Sequence, residues 1–311
     1  MICVLAGGVG AARLLAGLVR VVPAEEITVI GNVGDDLVLH GLHISPDLDT
    51  ITYTLADQVD PDRGWGLRDE TWQAMAMVGR YGGVDWFNLG DRDLGTHLYR
   101  THRLSEGATL GEVTAEITSS WELGFRLLPV TDDPLRTRVT VTTADGEREI
   151  SFQEWFVQLR HDVPVHGVRF VGADEAAPAP GVLEAILEAE AVVVAPSNPL
   201  VSIAPLLEVP GVADAVRARR DQVVAVSPIV AGAALKGPAD RLMADLGHEA
   251  SVVGVARLYA DVAATLVIDD ADTALAPRVE AEGLRAVTTA TVMATPDIAA
   301  DLGRVVLGAV R

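Results

Sequence analysis

Two carboxylates lie close together in the segment Ser45-Pro46-Asp47-Leu48-Asp49-Thr50. We expect a helix from about residue 48, with Asp47 near its start, so both carboxylates can face one pocket from the first turn. A further pair, Asp35-Asp36, follows the second expected strand. Carboxylate oxygens are the protein ligands of a Mg²⁺ ion that bridges phosphates, so the pattern predicts a metal ion holding a nucleotide diphosphate. Asp91 and Asp93 offer further oxygen ligands. Asp47 alone fits an ordinary helix cap equally well, and Asp35-Asp36 and the pair of Asp91 and Asp93 fit solvated turns, whereas Asp49 is harder to explain in this way.

A glycine turn near the N-terminus supplies a second element of phosphate chemistry. Gly7-Gly8-Val9-Gly10 joins an apolar strand at residues 2–6 to a segment with helical spacing at residues 11–19, and a second strand follows at residues 26–30. Strand, glycine turn, helix and strand open a parallel, doubly wound sheet, in which the N–H groups at the helix start favour a phosphate. The same residues also fit a tight turn that binds no ligand.

The dinucleotide-binding fingerprint is incomplete. A fingerprint that begins at Gly8 needs a small residue where the chain has Arg13. The second strand ends in Gly31-Asn32, without the acidic residue that would bind a ribose hydroxyl. The sequence therefore argues against an NAD-dependent oxidoreductase.

Two later strands end in small polar residues. The strand expected at residues 191–195 leads into Pro196-Ser197-Asn198, and the strand at residues 222–226 leads into Ser227. Because open α/β sheets bind ligands at the carboxyl ends of their strands, these residues and the glycine turn are expected at one edge. Together they predict a site for a diphosphate and its base.

The order of these elements predicts an α/β fold with a Rossmann-like, doubly wound and mostly parallel sheet. Residues 1–56 and 165–311 form the expected nucleotide-binding core, which includes a strand at residues 252–255. Residues 57–164 are interpreted as an inserted acceptor-binding subdomain. It is largely helical and carries a small β-hairpin that turns at Asp145-Gly146.

Composition restricts the function classes. The 311 residues carry a net charge of −20, and so acidic a surface repels a nucleic acid backbone. Cys3 is the only cysteine, so no internal disulfide can form, which fits a reducing compartment. No basic region precedes the first apolar run, and no uninterrupted apolar stretch reaches about 18 residues. We therefore expect a cytoplasmic protein without a membrane span.

A set of segments goes beyond the fold class: Leu5–Gly10, Gly31–Asp36, Leu39–Thr50, Leu89–Asp93, Pro129–Asp133, Pro196–Pro199 and Val226–Ile229. In this order, along nearly the whole chain, they resemble the 2-phospho-L-lactate transferase family (CofD, or FbiA in actinobacteria) of coenzyme F-420 biosynthesis. The departures are Ala11, where a third glycine is expected in the opening turn, and Ala231, in a loop that is often glycine-rich.

The resemblance implies a Mg²⁺-dependent transferase that acts on small molecules. Its donor would be a guanosine diphosphate ester of lactate or enolpyruvate, and its acceptor the deazaflavin Fo. The terminal ribityl hydroxyl of Fo attacks the phosphorus that bears the three-carbon acid, and GMP leaves. No motif distinguishes the two donors, although the arginine- and alanine-rich composition resembles actinobacteria and favours the enolpyruvyl ester. The resemblance also implies a homodimer.

Residue roles follow from the same resemblance. Asp49 is expected to be the catalytic residue, as a metal ligand or as the base that orients the attacking hydroxyl, and Mg²⁺ is expected on Asp49, Asp47 and Asp36. The residues expected to hold the donor's phosphates and guanosine are Gly7, Gly8, Gly10, Asn32, Ser197, Asn198, Ser227 and Lys236. The residues expected to bind the acceptor are Asp91, Arg92, Thr96, His97 and Trp65. Lys236 fits an ordinary surface lysine equally well.

A rival prediction is a non-catalytic regulator that binds a nucleotide sugar. Such a protein needs the glycine turn and the polar strand ends, but neither the aspartates nor an acceptor pocket. The intact segment Ser45–Thr50 and the insertion's Trp65 and Trp86 favour the enzyme.

Overall fold

A seven-stranded parallel sheet forms the centre of the protein in a computed structural model, which describes residues 1–61, 63–143 and 146–310. Within these residues, the strands are β1 (Ile2–Ala6), β2 (Ile27–Gly31), β3 (Leu37–Leu39), β4 (Leu42–Ile44), β5 (Arg126–Pro129), β6 (Arg136–Thr143), β7 (Gly146–Ser151), β8 (Val165–Val171), β9 (Ala191–Val194), β10 (Val223–Val226), β11 (Ile229–Val230), β12 (Ala233–Ala234), β13 (Thr265–Asp269) and β14 (Arg285–Thr289). The order in the central sheet is β14-β13-β10-β9-β1-β2-β5, and all neighbours run parallel.

Helices connect and flank these strands. The α-helices of the described residues are α1 (Gly8–Leu18), α2 (Pro46–Leu55), α3 (Gln73–Arg80), α4 (Asp93–Ser105), α5 (Leu110–Ser120), α6 (Val182–Leu187), α7 (Ala204–Leu207), α8 (Val212–Ala218), α9 (Ala239–Asp245), α10 (Val252–Tyr259), α11 (Ala276–Ala281) and α12 (Pro296–Gly308). Single π-helical turns at Glu154–Gln158 and Pro199–Ile203 interrupt the pattern. The predicted α/β fold with a parallel central sheet is confirmed.

The strand order reverses beside β1. The chain leaves β1 for β2 on one side, and returns to β9 on the other side before it continues to β10, β13 and β14. Every residue of β1, β9 and β10 is buried, which explains their continuous apolar sequences. A crevice forms at such a reversal because the connections on its two sides lie on opposite faces of the sheet.

A small antiparallel sheet, β7-β6-β8, stands apart from the central sheet. It packs on its own apolar cluster around Val139, Val141 and the fully buried Trp155. The indole Nε1 of Trp155 donates to the carbonyl of Val163 at 2.8 Å, which satisfies its buried N–H group. The predicted hairpin pairs as β6 with β7, although Asp145 of its turn lies outside the described residues.

The structure differs from the sequence predictions at three segments. Strand β5 belongs to the central sheet although it falls within residues 57–164, and β8 belongs to the small sheet although it falls within residues 165–311. The division into a core and an acceptor-binding insertion otherwise stays a prediction. The strand predicted at residues 252–255 is wrong, because these residues begin α10. The Ser251 hydroxyl caps that helix by accepting from the amides of Val253 and Gly254.

Among the described residues, no single helix is long and apolar enough to cross a membrane. One bent pair, Pro199–Leu207 and Val212–Ala218, has the length and composition of a membrane span only when the two helices are counted together, and the bend between them is 93°.

A glycine controls how closely α1 packs against α12. A Cβ atom at Gly17 would collide with the backbone of Ala299 and Ala300, whereas one at Gly308 would meet no atom within 4 Å. We expect Gly17→Ala to lower the free energy of unfolding by about 1–3 kcal/mol through overpacking. The matched control Gly308→Ala is expected to leave it unchanged or raise it by less than about 1 kcal/mol. Urea unfolding measures both, and equal stabilities would contradict the close packing.

Candidate active site

A cavity of about 730 Å³ opens where the strand order reverses. It lies at the carboxyl ends of β1, β9, β10 and β14, and the start of α2 and parts of the insertion complete its wall. Its volume is in the range of cavities that bind cofactor-sized ligands.

The structure brings most of the predicted site residues to this cavity. Those that line it are Gly7, Gly8, Gly10, Asp47, Asp49, Trp65, His97, Ser197, Asn198, Ser227 and Lys236. The predicted residues that do not line it are Asn32, Asp36, Asp91, Arg92 and Thr96.

The glycine turn is shaped by close approach of its neighbours. Gly7 leaves no room for a Cβ atom beside Asp47 and Ser202, and a Cβ at Gly10 would collide with the carbonyl oxygen of Pro196. Gly8 has a φ of +72°, which favours glycine. The turn therefore allows the start of α1 to lie directly against the cavity.

Asp47 belongs to α2, and its carboxylate lies against the start of α1. Its Oδ2 accepts from Asn32 Nδ2 at 2.9 Å, and the backbone amide of Gly8 also donates to its carboxylate. Burial raises the pKa of Asp47 to about 6, although these two hydrogen bonds oppose the shift. Asn32 is fully buried behind Asp47. Asn32 therefore contacts Asp47 and does not itself line the cavity, and its predicted role at the nucleotide stays a prediction.

A second group of charged side chains lies around Asp49. Arg100 forms a bidentate ion pair with Asp49, in which Nη1 donates to Oδ2 at 3.1 Å and Nη2 donates to Oδ1. Both residues are buried. On α4, His97 lies one turn after Asp93, and its Nε2 is 3.2 Å from Asp93 Oδ2. His97 Nδ1 lies 3.8 Å from Asp49 Oδ2.

Tyr53, on α2, contacts this group through its hydroxyl. Its hydroxyl donates to Asp93 Oδ1 at 2.6 Å and lies 2.8 Å from the hydroxyl of Thr96. Burial and the negative charge of Asp49 hold the pKa of Tyr53 well above its usual range, so the phenol stays protonated. Thr96 was predicted to bind the acceptor, but it contacts Tyr53 and does not line the cavity.

The three side chains of Asp49, Asp93 and His97 could hold a metal ion. They offer one ligand atom each, and these atoms lie within 4.8 Å of one another. Two carboxylates and an imidazole fit a divalent cation. The sequence grouped Asp49 with Asp47 and Asp36 instead. Asp93 was one of the candidate oxygen ligands in the sequence but was not assigned to the metal, although its spacing from His97 on one helix face was a usable signal.

Asp36 faces away from the main cavity. It lines a second, smaller cavity of about 330 Å³, and its Oδ2 accepts from the Ser45 hydroxyl at 2.7 Å. Burial raises the pKa of Asp36 to about 7. Asp36 is not one of the three residues whose ligand atoms cluster around Asp49, although the charge of Asp49 contributes to its raised pKa, so its role at the metal stays a prediction.

Asp91 and Arg92 contact neighbouring backbone and not the main cavity. The Asp91 carboxylate accepts from the amides of Gln73 and Ala74, both at 3.0 Å, at the start of α3. Arg92 donates through Nη1 to the carbonyl of Arg68. The geometry does not support a direct acceptor contact for either residue.

An indole and three cations also line the cavity. Trp65 lines the cavity with 44% of its surface exposed. The guanidinium of Arg63 lies 5.5 Å from the centre of its ring, within range of a cation–π contact. The other two cations are Arg13 and Lys236.

The fold and the cavity define an α/β protein with a carboxylate-rich ligand site at the reversal of a parallel sheet. The chain belongs to the 2-phospho-L-lactate transferase CofD family, whose model matches residues 2–299. Curated relatives named phosphoenolpyruvate transferase include those of Kitasatospora aureofaciens, 45% identical over 98% of this chain and 96% of the relative, and Mycolicibacterium smegmatis, 42% identical over 97% and 96%. The resemblance found in the sequence is confirmed.

Solved structures share the fold at lower identity. Protein BH3568 from Bacillus halodurans matches with a TM-score of 0.63 and 18% identity, over 98% of both chains. A second structure of that protein, described as a member of the UPF0052 family, matches with a TM-score of 0.59. At this identity the likeness concerns the fold alone.

The buried carboxyl of Asp36 makes stability depend on pH. The folded protein keeps a proton on Asp36 up to about pH 7, whereas an unfolded chain releases it near pH 4. The folded state binds more protons between these values, so the free energy of unfolding falls as the pH rises. We expect Asp36→Asn to be more stable than the parent by about 1–3 kcal/mol at pH 8 and equally stable at pH 4.

Urea unfolding across this pH range, in buffer with EDTA, measures the difference between Asp36→Asn and the parent. The exposed Asp57 provides the matched control, and Asp57→Asn is expected to follow the parent at every pH. A difference for Asp36→Asn that does not change with pH would contradict the burial argument.

Proposed function

We propose that the protein transfers a phosphoenolpyruvyl or phospholactyl group from a guanosine diphosphate ester to the terminal ribityl hydroxyl of the deazaflavin Fo, and releases GMP. The hydroxyl oxygen forms a bond to the phosphorus that bears the three-carbon acid, and its proton passes to the carboxylate of Asp49. The bond from that phosphorus to the bridging oxygen breaks, and GMP carries this oxygen away. The product is coenzyme F-420-0 or its dehydro form. The names of the relatives favour the enolpyruvyl donor.

The observation that carries the proposal is the arrangement of groups around one cavity. The start of α1 and the polar strand ends face it from the core, whereas His97, Asp93 and Trp65 face it from the insertion. A phosphoryl transfer between two bound molecules depends on holding them in line and on stabilising charge. A cavity lined by both the core and the insertion suits a reaction that brings two molecules together.

The donor is proposed to lie against the core. The amide of Gly7 donates to the Ser197 hydroxyl at 3.2 Å, so the turn after β1 and the loop after β9 are already held together. Gly8, Gly10 and Lys236 would face the donor's phosphates. Ser197, Asn198 and Ser227 would face the guanosine.

The acceptor is proposed to lie against the insertion. Trp65 offers an exposed indole face on which a planar deazaflavin can stack. The ribityl hydroxyl would then point to Asp49 and His97, which orient it for attack. Because Arg100 holds both oxygens of Asp49, that carboxylate cannot turn away from the cavity.

A divalent cation, Mg²⁺ in our proposal, would be held by Asp49, Asp93 and His97. When bound, it would neutralise the charge that develops on the transferred phosphoryl group. Asp47 also lines the cavity beside the start of α1, where its negative charge would repel an unshielded phosphate.

We keep the homodimer as a proposal as well.

A turnover assay tests the proposed reaction. Purified protein is mixed with Mg²⁺, Fo and, in parallel, the lactyl and enolpyruvyl guanosine diphosphates, and GMP release and product mass are measured. We expect product from both donors or one, with the larger kcat/KM for the enolpyruvyl ester, and none after EDTA treatment. Nucleotide binding without product from either donor would overturn the transferase and favour the regulator.

Asp49→Asn tests the assigned catalytic residue. We expect kcat to fall by about 100-fold or more, because loss of the carboxylate's charge weakens both the orientation of the hydroxyl and the metal site. Asp57→Asn, on an exposed carboxylate at the end of α2, is expected to keep parental kcat.

The loss of a buried partner for Arg100 can also destabilise the Asp49→Asn variant. His97→Gln therefore serves as a second variant, and thermal unfolding is measured for both. A folded Asp49→Asn protein with parental turnover would contradict the assignment.

A further inference from the structure

Two cations of the cavity wall, Arg13 and Lys236, have no carboxylate partner among the described residues. Arg13 lies on α1, one turn after the glycine turn, and Lys236 lies in the loop between β12 and α9. Among the described residues, neither side chain has a carboxylate within ion-pair distance, whereas Arg63, the third cation of the cavity, is paired with Asp60 at 2.8 Å.

Lys236 is held near Arg13. Its Nζ lies so close to Gly64 that a Cβ atom added there would be 2.5 Å away. Partial burial and the positive charge of Arg13 both lower the pKa of Lys236. The two positive charges therefore oppose each other at the wall that they share, and an anion bound there would offset this repulsion.

Apart from the paired Arg63, the other charged side chains that line the cavity are carboxylates. Asp35, Asp47, Asp49 and Asp93 line it, and the protein as a whole carries a net charge of −20. An anionic ligand enters this cavity only where its charge is balanced. The unpaired cations stand beside the start of α1, whose backbone dipole also favours negative charge.

We propose that Arg13 and Lys236 form a two-cation clamp that binds the diphosphate of the donor. Arg13 holds it from α1, and Lys236 closes over it from the loop that contacts Gly64. This inference rests on the proposed function for the identity of the donor, but it assigns Arg13, which the sequence motif marked only as a departure from the dinucleotide fingerprint. It also gives Lys236 a partner and a reason for its position.

The chain offers an unusually direct probe, because Lys236 is its only lysine. Protein grown with carbon-13-labelled lysine gives one set of side-chain NMR signals, all from the proposed clamp. These signals are followed during titration with inorganic diphosphate, GDP and guanosine. We expect saturable shifts with inorganic diphosphate and GDP, and none with guanosine.

Arg13→Met is the decisive variant. Loss of one charge-assisted contact to phosphate is expected to weaken GDP binding by about tenfold or more, and to raise the pKa of Lys236 in the same spectra. Arg20→Met is the matched control, since Arg20 follows the same helix and pairs with the exposed Asp297. It is expected to change neither quantity.

Two results would overturn the clamp: parental GDP affinity in Arg13→Met, or Lys236 signals that GDP does not move. Arg13 has no partner to lose among the described residues, so its variant is expected to keep the parental melting temperature. If Arg13→Met nevertheless fails to fold, Arg13→Gln replaces it. If GDP moves the Lys236 signals but the protein shows no turnover, the transferase is refuted and the clamp stands. If the protein shows turnover and Arg13→Met keeps the parental GDP affinity, only the clamp is refuted.

Discussion

The ion pair between Asp49 and Arg100 holds the candidate site together. Both residues are buried, and the pair joins α2, which leads out of the central sheet, to α4 of the insertion. A buried charge that loses its partner costs about 3–5 kcal/mol, so neither helix can shift without its counterpart. Because α4 is fixed in this way, His97 and Asp93 are brought to the same point as Asp49. The positions of the acidic groups are thus a consequence of how α4 packs against α2.

The cavity is lined by charges of both signs. Its carboxylates come from α2, α4 and the loop after β2, and its unpaired cations come from α1 and the loop before α9. A reaction that moves a phosphoryl group from a charged donor to a neutral hydroxyl needs both kinds of environment. In the proposed reaction, the cations would balance the charge of the donor, whereas the carboxylates would orient the hydroxyl and hold a metal ion.

Local sequence was enough to predict the elements that turn a strand into a helix at the cavity. The glycine turn, the carboxylates Asp47 and Asp49, and the polar residues after β9 and β10 all follow from patterns within a few residues. Partnerships between distant segments were not predictable in this way. That α4 meets α2, and so pairs Arg100 with Asp49, depends on tertiary packing. Residues 252–255 were misassigned because a short apolar run suits a buried strand and a buried helix equally well.

The most direct measurement is a crystal structure of the protein with GDP, Fo and Mn²⁺, with the anomalous signal of manganese recorded to locate the metal. The geometry predicts the diphosphate beside the start of α1 between Arg13 and Lys236, the deazaflavin ring against Trp65, and the metal at Asp49, Asp93 and His97. The ribityl hydroxyl would then face the terminal phosphate of GDP. A diphosphate bound outside this cavity, or a metal bound far from Asp49, would contradict the division of the site described above.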